Sequence, residues 1–479
     1  MPAETPTQLL HRLTSYSPGR EWDQPDPDQR IVHTFEANDL SRRPLAFEHY
    51  DGPRRRLPRR RPTSSRPGLA VLAGHRENGG QAVGAAGIGR LLYLAAGVTR
   101  TALAPSGYRH LLRGAGSAGA RFPLELYLAM PHERPGLPAG VHWYDPAEHA
   151  LVQIGPPPPG QAPTVVVTGV PWRTGWHYRE RGFRHLYWDA GSMLAQLLAA
   201  ADSTGPAGRL HTAFPDRTAA ELVGADGVQE FPLAVVGLGD GLPVVGPGGP
   251  AQPGRFEPDA IDFPLVTAAQ RAGEESVLLP PWDFGPAVPP ARTSPETVDE
   301  LIRRRGSIRR FDPAAELPRA TLEAAMTAAL RGIAVPHWVA VHAVTGLPAG
   351  LYRWPDLDRP VRTGNLRADC YRAGLAQALA RDASFVVIAA APWADLDEHG
   401  YREAQLAAGL VDGRLHLLAA ALGAGATGMT FQDSDLPALL GEPGLAGLLW
   451  TCVGVPEYAS GSAGTPGAPR EVRMVAGRG

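Results

Sequence analysis

Five residues between 303 and 309 have side chains suited to gripping a phosphate: Arg303, Arg304, Arg305, Ser307 and Arg309, in the run RRRGSIRR. A guanidinium fork donates to two oxygens at once, which makes arginine a good phosphate ligand. A basic helix end lying on the surface is the competing reading. A second stretch, ALGAGATGMTF at 421–431, is rich in glycine. Without side chains in the way, its backbone amides can approach a polar ligand closely. Cys370 and Cys452 are the two cysteines, too few for a disulfide framework and without metal-ligand spacing. No metal site is expected.

The chain has 479 residues, enough for two to four domains at roughly 100–200 residues each. Hydrophobic residues make up 44 %, ample for folded cores. The formal net charge of −2 gives no global field toward nucleic acid or membrane. Arginine carries all the basic charge; there is no lysine. The bias toward Ala, Gly, Pro and Arg reads as genomic base composition. Any step that usually uses a lysine must use another group. The opening MPAETPTQLLHRLTSY has no charged-then-apolar signal pattern, and no run of about 18 apolar residues suits a membrane span. A soluble, cytoplasmic protein is expected.

An internal repeat organises the chain. GLPAGVHWYDP at 136–146 recurs as GLPAGLYRWPD at 346–356. VVVTGVPW at 165–172 matches FVVIAAAPW at 385–393, and GFRHLYWDAG at 182–191 matches GYREAQLAAG at 400–409. The closing runs FPLAVVGLG at 231–239 and LLWTCVGVP at 448–456 also pair. Four blocks in the same order argue for a duplicated domain. ELYLAM, TVVVTGV and FPLAVVGL suit buried strands, and the LPAG stretch a turn before a strand. LYWDAGSMLAQLLAAA and QLAAGLVDGRLHLLAAALG have helical spacing. The boundaries expected are an N-terminal extension at 1–65, a first domain at 66–242, a Pro/Gly-rich linker at 243–295 and a second domain at 296–479. Within the linker, DFPLVTAAQRAG is apolar enough to dock. The basic run RRRLPRRRP near 54–62 reads as an exposed, solvated arm.

GSAGARFPLELYLAM at 116–130, the LPAG block and WRTGWHYRERGFRHLYWDAG closely resemble the SagB-type peptide dehydrogenases of the nitroreductase superfamily. ELIRRRGSIRRFDPAAELPRATLEAAM resembles that superfamily's N-terminal signature. The resemblance covers about 70–240 and 296–475. It implies an α+β fold with a central, mostly antiparallel sheet flanked by helices. It also implies an FMN at an interface where one subunit grips the phosphate and the other lays a loop on the ring. Two fused copies would form that interface within one chain, as a pseudo-dimer.

The copies differ in complementary ways. The arginine signature stands only in copy two; the matching stretch of copy one, AGHRENGGQAVGAAG, lacks it. The ring-facing loop, Ser117, Ala118, Gly119 and Ala120, stands only in copy one, against RGIAVPHW in copy two. Gly425, Ala426, Thr427, Gly428 and Met429, again in copy two, resemble the family's glycine-rich loop beside the ring edge. Arg470 stands where the family often has a basic phosphate ligand. All these pieces fall on one composite site, so one FMN per chain is expected.

The resemblance aligns His177–Tyr178 with the family's catalytic Lys–Tyr pair. Tyr178 carries over and the lysine does not. A histidine, with an unperturbed pKa near 6.5, serves as a general base. A purely structural histidine is the alternative. The reaction implied is the oxidation of azoline rings in a modified peptide to azoles, with hydride passing to flavin and oxygen reoxidising it. Partners implied are the peptide, a cyclising enzyme and a leader-binding protein, with a homodimer of fused pairs left open. Two other functions fit: an NAD(P)H-dependent reductase of nitro, quinone or enone compounds, and a non-catalytic scaffold. Trp172 and Trp176 fit either a peptide groove or a core, while Tyr187 and Trp188 read as core. Arg181 and Arg184 read as braces for their helix, and His142 and Trp143 as structural.

Overall fold

The computed structural model describes residues 4–17, 40–60, 62–76, 84–104, 107–257 and 260–478. Part of the copy-one stretch opposite the arginine signature, at 77–83, lies outside the described residues.

Runs such as TVVVTG at 164–169 are β-branched and buried throughout, so they form central strands. The first sheet runs, edge to edge, Arg54–Arg56, Ala150–Gly155, Gly140–Asp145, Leu124–Met130, Thr164–Gly169, Phe231–Leu238, Gly208–His211. The second runs Asp356–Thr363, Gly350–Arg353, His337–Val341, Phe385–Pro392, Leu445–Gly454, Gly425–Met429. Every pairing in both is antiparallel. The six strands from Ala150–Gly155 to Gly208–His211 keep the same sequence-to-space order as those of the second sheet. Each repeated block lands on the matching element in the other half. The fold is α+β and nitroreductase-like, in two fused copies.

Two expectations need correction. Gly425–Met429 is an edge strand, not a loop. The basic run is not a free arm: Arg54–Arg56 pairs with Ala150–Val152, although its side chains are exposed. A strand pair leaves alternate side chains in water while its backbone is consumed by the ladder. Sequence composition reports only the first of these.

The long helices Gly182–Thr204 and Glu398–Ala421 are buried along nearly their whole length and cross between the halves. Their small residues decide how closely. A Cβ on Gly191 would stand 2.4 Å from the Leu406 carbonyl oxygen, and one on Gly409 2.4 Å from that of Trp188. Alanine at either position would push the helices apart. Across the crossing, Trp188 Nε1 donates to Gln405 Oε1 at 2.6 Å and Ser192 Oγ to Asp412 Oδ2 at 2.6 Å. One apolar core continues through both halves.

Three further segments tie the halves together. Helix Pro6–Leu13 opens with a capping box from Thr5 and Gln8 and buries Leu10, His11 and Leu13. His11 Nδ1 lies 2.9 Å from Tyr401 Oη, and the His11 carbonyl accepts from Arg184. Arg181 and Arg184 both reach Asp433, at 2.7 and 2.6 Å. Burial alone would raise the Asp433 pKa; the two arginines outweigh it and hold the carboxyl well below the usual range. These arginines therefore brace their helix. The linker helix Pro264–Ala272 docks through Leu265, Val266 and Ala269. The C-terminal strand Arg470–Glu471 crosses back to pair, in parallel, with Val98–Leu103 of the first half.

Candidate cofactor and catalytic site

The segment from Ser117 to Phe122 turns tightly, with Gly119, Ala120 and Phe122 at φ of 57°, 54° and 49°. Left-handed backbone at Ala120 and Phe122 costs on the order of 1 kcal/mol each, so something must hold it. That anchor is Asp189, on the long helix Gly182–Thr204. Ser117 Oγ donates to Asp189 Oδ2 and accepts from the Phe122 amide at 2.8 Å. The Ala118 amide donates to Asp189 Oδ1 at 3.0 Å. Burial raises the Asp189 pKa to about 7, against the pull of the Ser117 and Ala118 hydrogen bonds.

A carboxyl whose folded pKa is raised favours the fold when protonated. That contribution is complete below the unfolded value near 3.9 and is lost as pH rises through about 7. Relative to Asp189→Asn, the wild-type chain should lose about 2–3 kcal/mol of stability between about pH 5 and about pH 8. Urea unfolding of both proteins across that window measures it. Parallel stability curves would remove Asp189 as a titrating anchor.

The arginine run of the second half meets this loop. A Cβ on Gly116 would lie 3.5 Å from Ser307 Oγ and 3.8 Å from Arg305 Nη1. Arg305 is buried; its Nη2 donates to the Gly114 carbonyl at 2.6 Å, and its Nη1 lies 3.2 Å from His416 Nδ1. Arg303 reaches the Ala463 and Gly464 carbonyls at 3.4 Å. The Nε atoms of Arg303 and Arg305 are both buried without a partner among the described residues. Arg100, from the first half, donates to the Arg303 and Arg305 carbonyls at 2.7 and 2.9 Å. Burial, then Arg100, lowers the Arg305 pKa to about 10; burial and Arg303 lower that of Arg100. Crowded, partly desolvated cations of this kind call for an anion.

The other expected ligands divide. Ser307 and Arg309 are exposed beside the loop's partner strand; Ser307 bridges Ala426, and the Arg309 amide donates to Tyr458 Oη at 2.8 Å. Arg304 is not brought in: its guanidinium is held by Glu296 and the Ala420 carbonyl. It follows Arg303 by one residue on a helix, about 100° around the axis, and so faces elsewhere. Arg470 Nη1 donates to Ser462 Oγ at 2.9 Å, and its backbone stands opposite Arg100. In the edge strand, the Ala426 carbonyl accepts from Ile308 at 3.1 Å. Gly425 has no room for a Cβ beside Ile308, and Gly428 none beside Asp412 Oδ1. Thr427 and Met429 are buried, with Met429 Sδ 3.3 Å from Cys452 Sγ.

His177 and Tyr178 end the helix Pro171–Tyr178, just before Arg179 at φ 48°. The Tyr178 hydroxyl faces the loop: a Cβ on Gly119 would come within 2.9 Å of it. Its ring packs edge-on to His177 at 4.5 Å and against His185 at 4.0 Å. Burial, with Tyr16 and Asp189 adding, raises its pKa well above the ordinary value; Arg121 and Arg309 oppose. The phenol therefore keeps its proton at neutral pH. Partial burial, with Arg121 and Arg179 adding, lowers the His177 pKa, so the imidazole is neutral there. Arg309 of the second half thus acts on a tyrosine of the first. Trp172 and Trp176 are buried at 3 % exposure, as are Tyr187 and Trp188 at 1 % and 4 %; all four are core, not groove. Trp143 donates to Glu125 and His142 lies 3.1 Å from the Pro138 carbonyl, both structural roles.

In the second half, the stretch that matches the loop, RGIAVPHW at 331–338, is covered by the linker. Phe284 and Asp283 of the linker lie against Gly332, where even a Cβ would clash at 2.4 Å. Arg331 donates to the Phe284 carbonyl at 2.8 Å, and Arg414 stacks over the Phe284 ring at 4.7 Å.

Asp189, Arg100 and Arg121 were not singled out by the sequence. For Asp189 a signal existed: block 182–191 has Asp where block 400–409 has Ala407. It follows the same one-copy-only pattern as the loop it anchors. Arg100 and Arg121 sit in unremarkable stretches and carry no such mark.

No protein-family profile matches the chain. A protein of Methanocaldococcus jannaschii named as a nitroreductase is 28% identical over 138 residues, 26% of this chain and 68% of that protein. A crystal structure from Anabaena variabilis, described as a nitroreductase, matches with TM-score 0.70 at 22% identity, over 95% of this chain and 100% of that one. A chain of the Escherichia coli microcin synthetase complex with truncated pro-microcin bound is 23% identical over 35% of this chain and 66% of that one, at a TM-score of 0.27 that carries no argument. The fold and the curated relative together support a relationship to the nitroreductase family. The Anabaena likeness spans both halves, so the paired architecture is shared with a solved structure.

Proposed function

We propose that the chain is an FMN-dependent oxidoreductase that oxidises azoline rings of a modified peptide to azoles. The observation that supports it is a convergence. Arg305, Ser307 and Arg309 of one half approach the Gly114–Gly119 segment and Tyr178 of the other. The donor set fits the cofactor: two buried guanidinium nitrogens, unpartnered among the described residues, and crowded cations suit a phosphate dianion. Arg303, Arg305 and Ser307 would hold the phosphate, and Ser117–Ala120 would lie against the ring. When bound, FMN supplies the acceptor for a hydride, with oxygen restoring it.

The chain's own residues handle the proton. A neutral His177 nitrogen accepts the proton from the carbon beside the ring's C=N group. Tyr178 Oη keeps its proton and donates a hydrogen bond, which orients the substrate. Asp189 fixes the loop, and Phe284 covers the matching stretch of the second half, consistent with one cofactor per chain. A cyclising enzyme, a leader-binding protein and a cytoplasmic setting belong to the same proposal.

The test uses purified, flavin-loaded protein and a peptide carrying a single thiazoline. Under air, the peptide should lose two hydrogens per ring, read by mass spectrometry, without NAD(P)H. Consumption of NADH with a quinone, and an unchanged thiazoline, would replace this reading with a reductase. A flavin-free protein that binds the peptide would replace it with a scaffold.

A further inference from the structure

Beside the ring-facing loop lies a small, partly open pocket that the proposed reaction does not use. Arg43, Tyr108, His110, Arg121, Phe122 and Arg173 contribute to its wall. Its cavity volume is about 30 Å³. A single water needs about 10–15 Å³ by the same measure, so the pocket admits a group of two or three heavy atoms. A carboxylate, of three heavy atoms, matches that volume.

Among the described residues of the wall the charges are of one sign, and none is an aspartate or glutamate. Arg173 is already paired, with Glu125 at 2.6 Å. Arg43 and Arg121 have no carboxylate partner among the described residues. Both are held in place by aromatic rings instead. Arg43 stands over Tyr108 at 3.7 Å and Trp176 at 5.6 Å, and Arg121 over Trp176 at 4.8 Å. Stacking fixes a guanidinium plane without neutralising it, leaving its edge donors for a ligand. Arg43 Nε is buried with no hydrogen-bond partner among the described residues. Arg121 Nε, in turn, donates to the Gly119 carbonyl at 3.0 Å, which joins this pocket to the loop opposite Tyr178.

We infer that the Arg43–Arg121 pocket is a specificity subsite for a carboxylate carried by the substrate. The proposed oxidation puts that carboxylate on a peptide, within reach of the reacting ring; in this the inference rests on the function proposed above. The carboxylate is either a side-chain acid or the free C-terminus.

Binding of short peptides to the full chain tests it, followed by isothermal titration calorimetry. Three probes separate the cases: N-acetylphenylalanine, its neutral amide, and N-acetylaspartylphenylalaninamide. At least one carboxylate probe should bind about ten-fold or more tighter than the neutral amide. A tighter N-acetylphenylalanine assigns the terminus, and a tighter aspartyl peptide the side-chain acid. Arg43→Gln should erase the preference, and Arg43→Lys, which keeps a charge in a half-buried position, should retain part of it. Equal binding of the neutral amide, or a preference untouched by Arg43→Gln, overturns the subsite. The titration needs no turnover and runs equally on flavin-stripped protein. Failure of the flavin reading therefore leaves this result legible, and the reverse also holds.

Discussion

Replacing His177 with alanine should lower kcat for ring oxidation about 10²–10⁴-fold, the usual contribution of a general base. The geometry gives the reason. His177 sits beside Tyr178, whose hydroxyl faces Gly119 of the loop. Burial and the neighbouring Arg121 and Arg179 lower the pKa of His177, so it is unprotonated at neutral pH. Tyr178 cannot take over as base, because burial holds its proton. With no lysine in the chain, no side-chain amine can substitute. The wild-type pH profile should rise with pH through a value below the ordinary histidine pKa and then stay flat. His177→Ala should lose that acid limb, and added imidazole should restore part of the rate. A variant with near-normal kcat and an unchanged acid limb would make His177 structural.

The double substitution Arg303→Gln, Arg305→Gln should weaken FMN binding by about 10²–10⁴-fold. Each charge-assisted hydrogen bond is worth about 1.5–3 kcal/mol, and two would be lost. Arg304→Gln serves as the comparison, since that side chain is occupied by Glu296 and the Ala420 carbonyl. Its FMN affinity should stay within about two-fold of wild type, as surface changes usually do. Equilibrium dialysis with flavin fluorescence measures all three proteins. Equal losses in the Arg304 variant and the double variant would return Arg304 to the site.

Much of the architecture was legible because duplication writes it twice. The GLPAG blocks, the VVVTG and FVVIAA strands and the two long helices each occur in both halves, so one copy's pattern corrects noise in the other's. The complementary differences stood out for the same reason. A loop motif found only at 116–120 and arginines found only at 303–309 are visible because the other copy shows the matching stretch without them. What the sequence hid was geometry that crosses between elements. Glycine at 425 and 428 suggested a free loop, yet those glycines answer to Ile308 and Asp412 pressing on an edge strand. Arg304 shares the signature of Arg303 and Arg305, but helix phase turns it away. Arg100 contributes from a strand some two hundred residues upstream, where nothing local marks it. Asp189 could have been found by asking of every position in the repeat what had been asked of the loop.

A crystal structure of the flavin-loaded chain decides the matter. It should show a single FMN, its phosphate on Arg303 and Arg305 and its ring against Ser117–Ala120. Flavin density at Gly332 in place of Phe284, or two flavins in one chain, would contradict the composite site.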